Sequence, residues 1–160
     1  AHFHLKDIGV SNKEAKHYIE SYLAHYSGVD SYMKNVVEKA NADGYVETMF
    51  GRRRNLPELT SSKHMIRAFG ERVARNMPIQ GTAADIIKIA MIKVDERMKA
   101  ENLRARLVLQ VHDELIVEAP QDESMRVALI VQEEMENAVK MSVPLTADAA
   151  IGRTWYDAKG

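Results

Sequence analysis

The sequence predicts an α+β fold, with an antiparallel sheet packed against long helices. Three observations lead there. Several stretches place apolar residues at helical spacing. Two shorter stretches read as β-hairpins, each a pair of strand-like runs around a turn. The elements follow one another as helices, a small hairpin, two long helices, a hairpin, a helix and a strand, which is an α+β order. With 160 residues the chain is long enough for a sizeable core.

Taken in order, Ser11-Asn12-Lys13-Glu14 is a capping-box pattern, with Ala15, Tyr18, Ile19, Tyr22 and Leu23 at helical spacing behind it. A second helix is expected from about Asp30 to Ala42, with Gly44 placed to stop it. Tyr45 to Leu56 reads as two short strands around Phe50-Gly51, and Pro57 ends that region. Ser62 to Arg75 reads as a helix. Pro78, which lacks an N–H, is expected to interrupt it and to open another helix running to about Ala100. Arg104 to Val111 and Leu115 to Glu118 read as strands, with His112, Asp113 and Glu114 at a tight turn between them. Asp122 to Met141 is expected to be helical and Val143 to Ile151 to form a last strand, with Trp155-Tyr156 closing against the core.

Composition narrows the classes. The chain has no cysteine, which excludes disulfides and thiolate metal sites and fits a reducing cytoplasm. No apolar run is long enough to span a bilayer, so no membrane partner is expected. Ala1-His2-Phe3-His4 has neither the basic start nor the apolar stretch of a signal peptide. The net charge is −1, but its distribution is uneven. Between Gly51 and Arg75 seven basic residues (Arg52, Arg53, Arg54, Lys63, Arg67, Arg72, Arg75) face two acids (Glu58, Glu71), so this stretch carries +5 and the remainder −6. Such a stretch can hold a phosphate backbone; it can equally be a solvated face.

Two constellations could carry chemistry. Leu107, Leu109 and Val111 alternate with Val108, Gln110 and His112, so both strand faces are largely apolar and the hairpin is expected to be buried or nearly so. Asp113 and Glu114 at its tip are then costly unless a cation compensates them. Hard oxygen ligands of this kind suit Mg²⁺, although aspartate is also common in turns for conformational reasons alone. Arg72, Asn76 and Gln80 lie four apart, so one helical face would carry all three across the Pro78 break. A row of hydrogen-bond donors suits the DNA minor groove, where purine N3 and pyrimidine O2 sit in nearly fixed places whatever the sequence. The same row also fits a polar solvent face.

The run Arg75-Asn76-Met77-Pro78-Ile79-Gln80-Gly81-Thr82-Ala83-Ala84-Asp85, followed by Leu109-Gln110-Val111-His112-Asp113-Glu114-Leu115, closely resembles family A DNA polymerases. Tyr45-Val46-Glu47-Thr48, Phe50-Gly51-Arg52-Arg53-Arg54 and Trp155-Tyr156-Asp157-Ala158-Lys159 are similar to the same family, and the resemblance covers essentially the whole chain. It implies a DNA-directed DNA polymerase, a nucleotidyltransferase of replication and repair in the bacterial cytoplasm. Its partners would be primer–template DNA and deoxynucleoside triphosphates, and its cofactor Mg²⁺. Asp113 matches the palm aspartate that binds catalytic Mg²⁺, and Glu114 an acidic neighbour in support. His112 matches a contact to the primer end. Arg72, Asn76 and Gln80 match residues lining the minor groove near the growing end, and Arg52, Arg53 and Arg54 a basic stretch near the duplex.

The resemblance also implies what is missing. The motif that supplies the other metal-binding aspartate is not in the chain, nor is the fingers helix whose Arg, Lys and Tyr hold the nucleotide; an exonuclease domain and a thumb are also not found. Residue 1 is expected to fall just after that fingers helix and the C-terminus to be natural. The chain then reads as one partial polymerase domain, inactive alone. About 1–80 would form the rear of the fingers with connecting helices, and about 81–160 a palm part with the catalytic hairpin. A non-catalytic double-stranded DNA-binding module using the Arg52 to Gln80 region stands as the alternative. An unrelated α+β domain with a purely structural turn at His112-Asp113-Glu114 is a third reading.

Overall fold

The computed structural model describes residues 10–159, so the N-terminal tetrapeptide lies outside the described residues. The chain divides into two compact units, Ala1–Pro78 and Ile79–Gly160. One long helix runs through the division.

In the first unit, helix α1 (Asn12–His25) starts at the expected capping box. Ser11 Oγ accepts from the Glu14 N–H at 3.3 Å, and Glu14 Oε2 accepts from the Ser11 N–H at 2.9 Å. Helix α2 (Ser27–Asp43) begins three residues before the position expected. It ends at Gly44, whose φ of 76° is the left-handed conformation that glycine adopts without a Cβ clash. Strands β1 (Tyr45–Glu47) and β2 (Arg53–Asn55) then form an antiparallel ribbon with Val46 opposite Arg54 and Glu47 opposite Arg53. Thr48 organises the turn between them. It is buried, and its hydroxyl accepts from the N–H groups of Phe50 (3.3 Å) and Arg52 (3.2 Å). A 3₁₀ turn (Pro57–Thr60) follows. Ala40, Val46, Leu56, Leu59 and Ala74 form the core of this unit, flanked by Val37, Val73 and Met77.

Helix α3 (His64–Ala100) corrects the sequence expectation at Pro78: the helix is continuous through the proline. A proline inside a helix removes one backbone hydrogen bond and crowds the preceding turn, a cost of about 3 kcal/mol. That cost is local, whereas the apolar periodicity continues on both sides: Gly70, Ala74 and Pro78 are buried, and so are Ala90, Val94 and Met98. The helix ends in a Schellman motif. Asn102 takes a φ of 54°, its N–H bonds the Lys99 carbonyl, and the Leu103 N–H bonds that of Met98, both at 3.0 Å.

In the second unit, β3 (Arg106–Val111) pairs antiparallel with β4 (Glu114–Glu118), with an irregularity between Leu107 and Leu109. Leu107, Leu115 and Val117 pack on a core of Val94, Met98, Ala105, Val127 and Ile130. Helix α4 (Ser124–Glu136) covers that core and is shorter at both ends than expected; the Asn137 side chain donates to the Glu133 carbonyl at 2.7 Å and closes its end. Arg97 bridges α3 to α4 through Glu133 and Glu134, both at 2.7 Å, and these carboxylates raise its pKa further.

Three further expectations are corrected. Val143 to Ile151 is not a strand: among the described residues it joins no ladder, Pro144 has no N–H to offer, and the Ala147 N–H is taken by the Glu136 carboxylate at 3.2 Å. Trp155 and Tyr156 do not close the core. They open a single helical turn, α5 (Trp155–Ala158), with Tyr156 89% exposed. The hairpin is not buried on both faces either, since Val108 and Leu109 are 51% and 47% exposed.

Candidate functional site

The tip of the β3–β4 hairpin is set by a two-residue loop. Val111 pairs with Glu114, so only His112 and Asp113 lie outside the ladder, and Glu114 belongs to β4. His112 has a φ of 54°, and a two-residue hairpin of the favoured primed type needs positive φ at this first loop position. Histidine is among the few non-glycine residues enriched there. Gln110 secures the turn, its side-chain amide donating to the His112 carbonyl at 2.5 Å.

His112 and Asp113 are exposed and Glu114 half-exposed. The desolvation cost expected for paired acids in a buried hairpin is therefore not incurred here. Glu114 Oε1 instead meets the Lys159 ammonium at 3.4 Å. The three tip residues and Gln80 line one wide groove of about 1700 Å³ within the second unit, whose other walls include Asp148 and Lys159. Asp113 offers hard carboxylate oxygens at the mouth of that groove, and such donors fit a divalent cation that keeps several waters. Among the described residues no three His, Asp or Glu side chains converge as a metal centre.

Arg72 and Asn76 lie in the first unit and share helix α3 with Gln80; all three are exposed. The Arg72 guanidinium sits 5.8 Å from the Phe69 ring centroid, which restrains it near the helix surface. The arginine triplet is split by the pleat. Cross-strand partners share a face, so Arg53 falls with Tyr45 and Glu47, and Arg54 with Val46. Arg53 is engaged on its face: its Nε donates to Glu47 at 3.3 Å, and its guanidinium lies 4.4 Å from the Tyr45 ring centroid. Arg54 is exposed, and Arg52 precedes β2, its carbonyl accepting from the Thr48 N–H at 3.0 Å.

Sequence reasoning missed three residues that shape these features. Thr48 was legible as a turn residue beside Gly51. Gln110 could have been found from its place two residues before the turn. Lys159 stands in the family-like closing run, but its pairing with Glu114 had no local signal, because the two are far apart in sequence.

The model of DNA polymerase family A matches residues 2–157, and the chain belongs to that family. Among its relatives, the DNA polymerase I of Bacillus caldotenax is 53% identical over 96% of this chain, and that of Geobacillus stearothermophilus 52% identical over the same share. The DNA polymerase I of Bacillus subtilis is 51% identical, also over 96%. The chain spans 18% of the length of each of these relatives. A solved structure described as the POL domain of Pol1 from M. smegmatis, in complex with DNA primer-template and dNTP, is similar at a TM-score of 0.92 and 46% identity, over 98% of this chain and 28% of that one. Polymerases of this family are generally metal-dependent. Among the described residues no helix is long and apolar enough to cross a membrane.

Proposed function

We propose that the chain is part of a DNA-directed DNA polymerase that adds deoxynucleotides to a primer 3′ end under the direction of a template. The observation that carries this reading is the exposed two-residue tip, His112-Asp113, on a hairpin inside a chain matched to the family over residues 2–157. One carboxylate of the metal site comes from Asp113, with Glu114 beside it in support. The other aspartate and the helix that holds the nucleotide belong to the rest of the enzyme. Mg²⁺, when bound, supplies activation of the primer 3′-hydroxyl and neutralises charge on the departing pyrophosphate. The chain's own residues position the reactants. His112 contacts the primer end, Asn76, Gln80 and Arg72 follow the minor groove of the newest base pairs, and Arg52 with Arg54 contacts the duplex backbone. In this reading about 1–80 is the rear of the fingers with connecting helices, and about 81–160 is a palm part. The bacterial relatives support a place in replication and repair in the bacterial cytoplasm.

Replacing Asp113 by Asn in the complete enzyme tests the assignment. Incorporation should be abolished while primer–template affinity stays nearly unchanged, because the substitution removes a cation ligand and no DNA contact. Near-normal turnover would end the assignment. The basic Gly51 to Arg75 stretch supports a second reading, a duplex-binding module without chemistry; binding by the 160-residue chain that ignores Mg²⁺, with Asp113→Asn silent in the complete enzyme, would favour it.

A further inference from the structure

The C-terminal turn is built more tightly than its exposure explains. Thr154 and Asp157 form both halves of a capping box: the Thr154 N–H donates to Asp157 Oδ2 at 3.1 Å, and the Asp157 N–H to Thr154 Oγ1 at 3.2 Å. Gly152 is pressed against the turn, and a Cβ there would lie 2.6 Å from the Ala158 nitrogen. The Lys159 N–H reaches the Trp155 and Tyr156 carbonyls at 3.1 and 3.3 Å. A single helical turn does not persist in water by its own hydrogen bonds, and Trp155 and Tyr156 are 44% and 89% exposed. The outcome of this local construction is the placement of one cation. The Lys159 ammonium lies 5.4 Å from the Trp155 ring centroid and 3.4 Å from Glu114 Oε1.

We propose that Lys159 is a positioning residue that holds the Glu114 carboxylate, so that of the two neighbouring acids Asp113 alone takes the divalent cation. The inference rests on the reading of Asp113 as a ligand. Asp113 sits in the loop and Glu114 opens β4, and the glutamate stem is long enough to swing towards a cation held next door. A captured ion would then lose coordination positions that substrate oxygens need. An exposed ion pair of this kind contributes little to folding stability, so its effect falls on the site. The ammonium also repels a second cation, which weakens metal binding slightly while keeping it productive.

The test uses the complete polymerase, with Mn²⁺ alone as the probe, its free-ion electron paramagnetic resonance signal reporting binding. Lys159→Met keeps the stem and removes the charge. It should tighten Mn²⁺ binding by roughly two- to fivefold, from the loss of repulsion and the freed second carboxylate. It should lower kcat by roughly two- to tenfold at unchanged primer–template affinity. Lys159→Arg should restore both values. Because the lysine acts through Glu114, the kcat effect of Lys159→Met should vanish in a Glu114→Gln background. Equal kcat losses in both backgrounds, or unchanged Mn²⁺ binding and kcat, would overturn the proposal. Failure of the underlying reading gives a different result: Asp113→Asn would then leave Mn²⁺ binding intact whatever stands at position 159.

Discussion

The arginine triplet offers the sharpest test of the pleat. If Arg52 to Arg54 formed one patch on the duplex, each replacement by Ala would weaken binding alike. The ribbon register predicts otherwise, because Arg53 shares a face with Glu47 and Tyr45 and is bound to both, whereas Arg54 falls on the other side. Each phosphate contact contributes about 0.9 to the slope of log affinity against log salt. Arg54→Ala should therefore lower the slope by about 0.9. Between 50 and 200 mM salt, one lost contact removes about 3.5-fold of the salt-induced weakening. Arg53→Ala should leave the slope nearly unchanged and cost at most about 1 kcal/mol of stability, the range for an exposed ion pair with a stacked ring. The measurement is equilibrium anisotropy of a labelled primer–template bound to the complete enzyme across a salt series, for each variant. Equal slope losses at 53 and 54, or a larger loss at 53, would refute the face assignment. No loss at any position would return the stretch to a solvated surface.

Three other substitutions probe the helical row and the ion pairs. Asn76→Ala and Gln80→Ala in the complete enzyme should each slow extension from a matched primer end by roughly two- to tenfold, the equivalent of a neutral hydrogen bond of about 0.5–1.5 kcal/mol. They should also narrow the difference between matched and mismatched ends; steady-state extension from both primers measures this, and unchanged rates and ratios would make the row a polar helix face only. The Glu101 carboxyl is held below its usual range, first by the hydrogen bond from Arg126 and then by that from Arg97. Its contribution to stability is therefore present above the unfolded-state pKa near 4.5 and lost as pH falls through the lower folded value. Glu101→Gln should flatten the acid limb of the melting-temperature profile below about pH 4.5 and leave the shape of the profile above it unchanged.

Local chemistry makes much of the molecule legible in its sequence. The Ser11–Glu14 box, the stop at Gly44, the Gly51 turn and the hairpin around His112-Asp113 each depend on a few adjacent residues, and each stands where those residues predict it. Capping and turn geometry are satisfied within a handful of residues, so the sequence carries them almost in full. The family is legible for a related reason: its motifs lie in short runs whose order and spacing mark it.

What the sequence could not decide were the matters settled by distant partners. Pro78 is a helix breaker by local rule, yet α3 passes through it, because the apolar contacts along the helix outweigh one missing hydrogen bond. The strand expected at Val143 to Ile151 needs an adjacent backbone, and here Glu136 takes the Ala147 N–H instead. The apolar hairpin faces suggested burial, while exposure depends on what lies against them, and Val108 and Leu109 remain open. Only the tertiary structure separated Arg53 from Arg54 by pairing register and brought Lys159 to Glu114. The Lys159–Glu114 contact joins residues far apart along the chain, and no local pattern encodes which of many compatible partners the folded backbone will bring within reach.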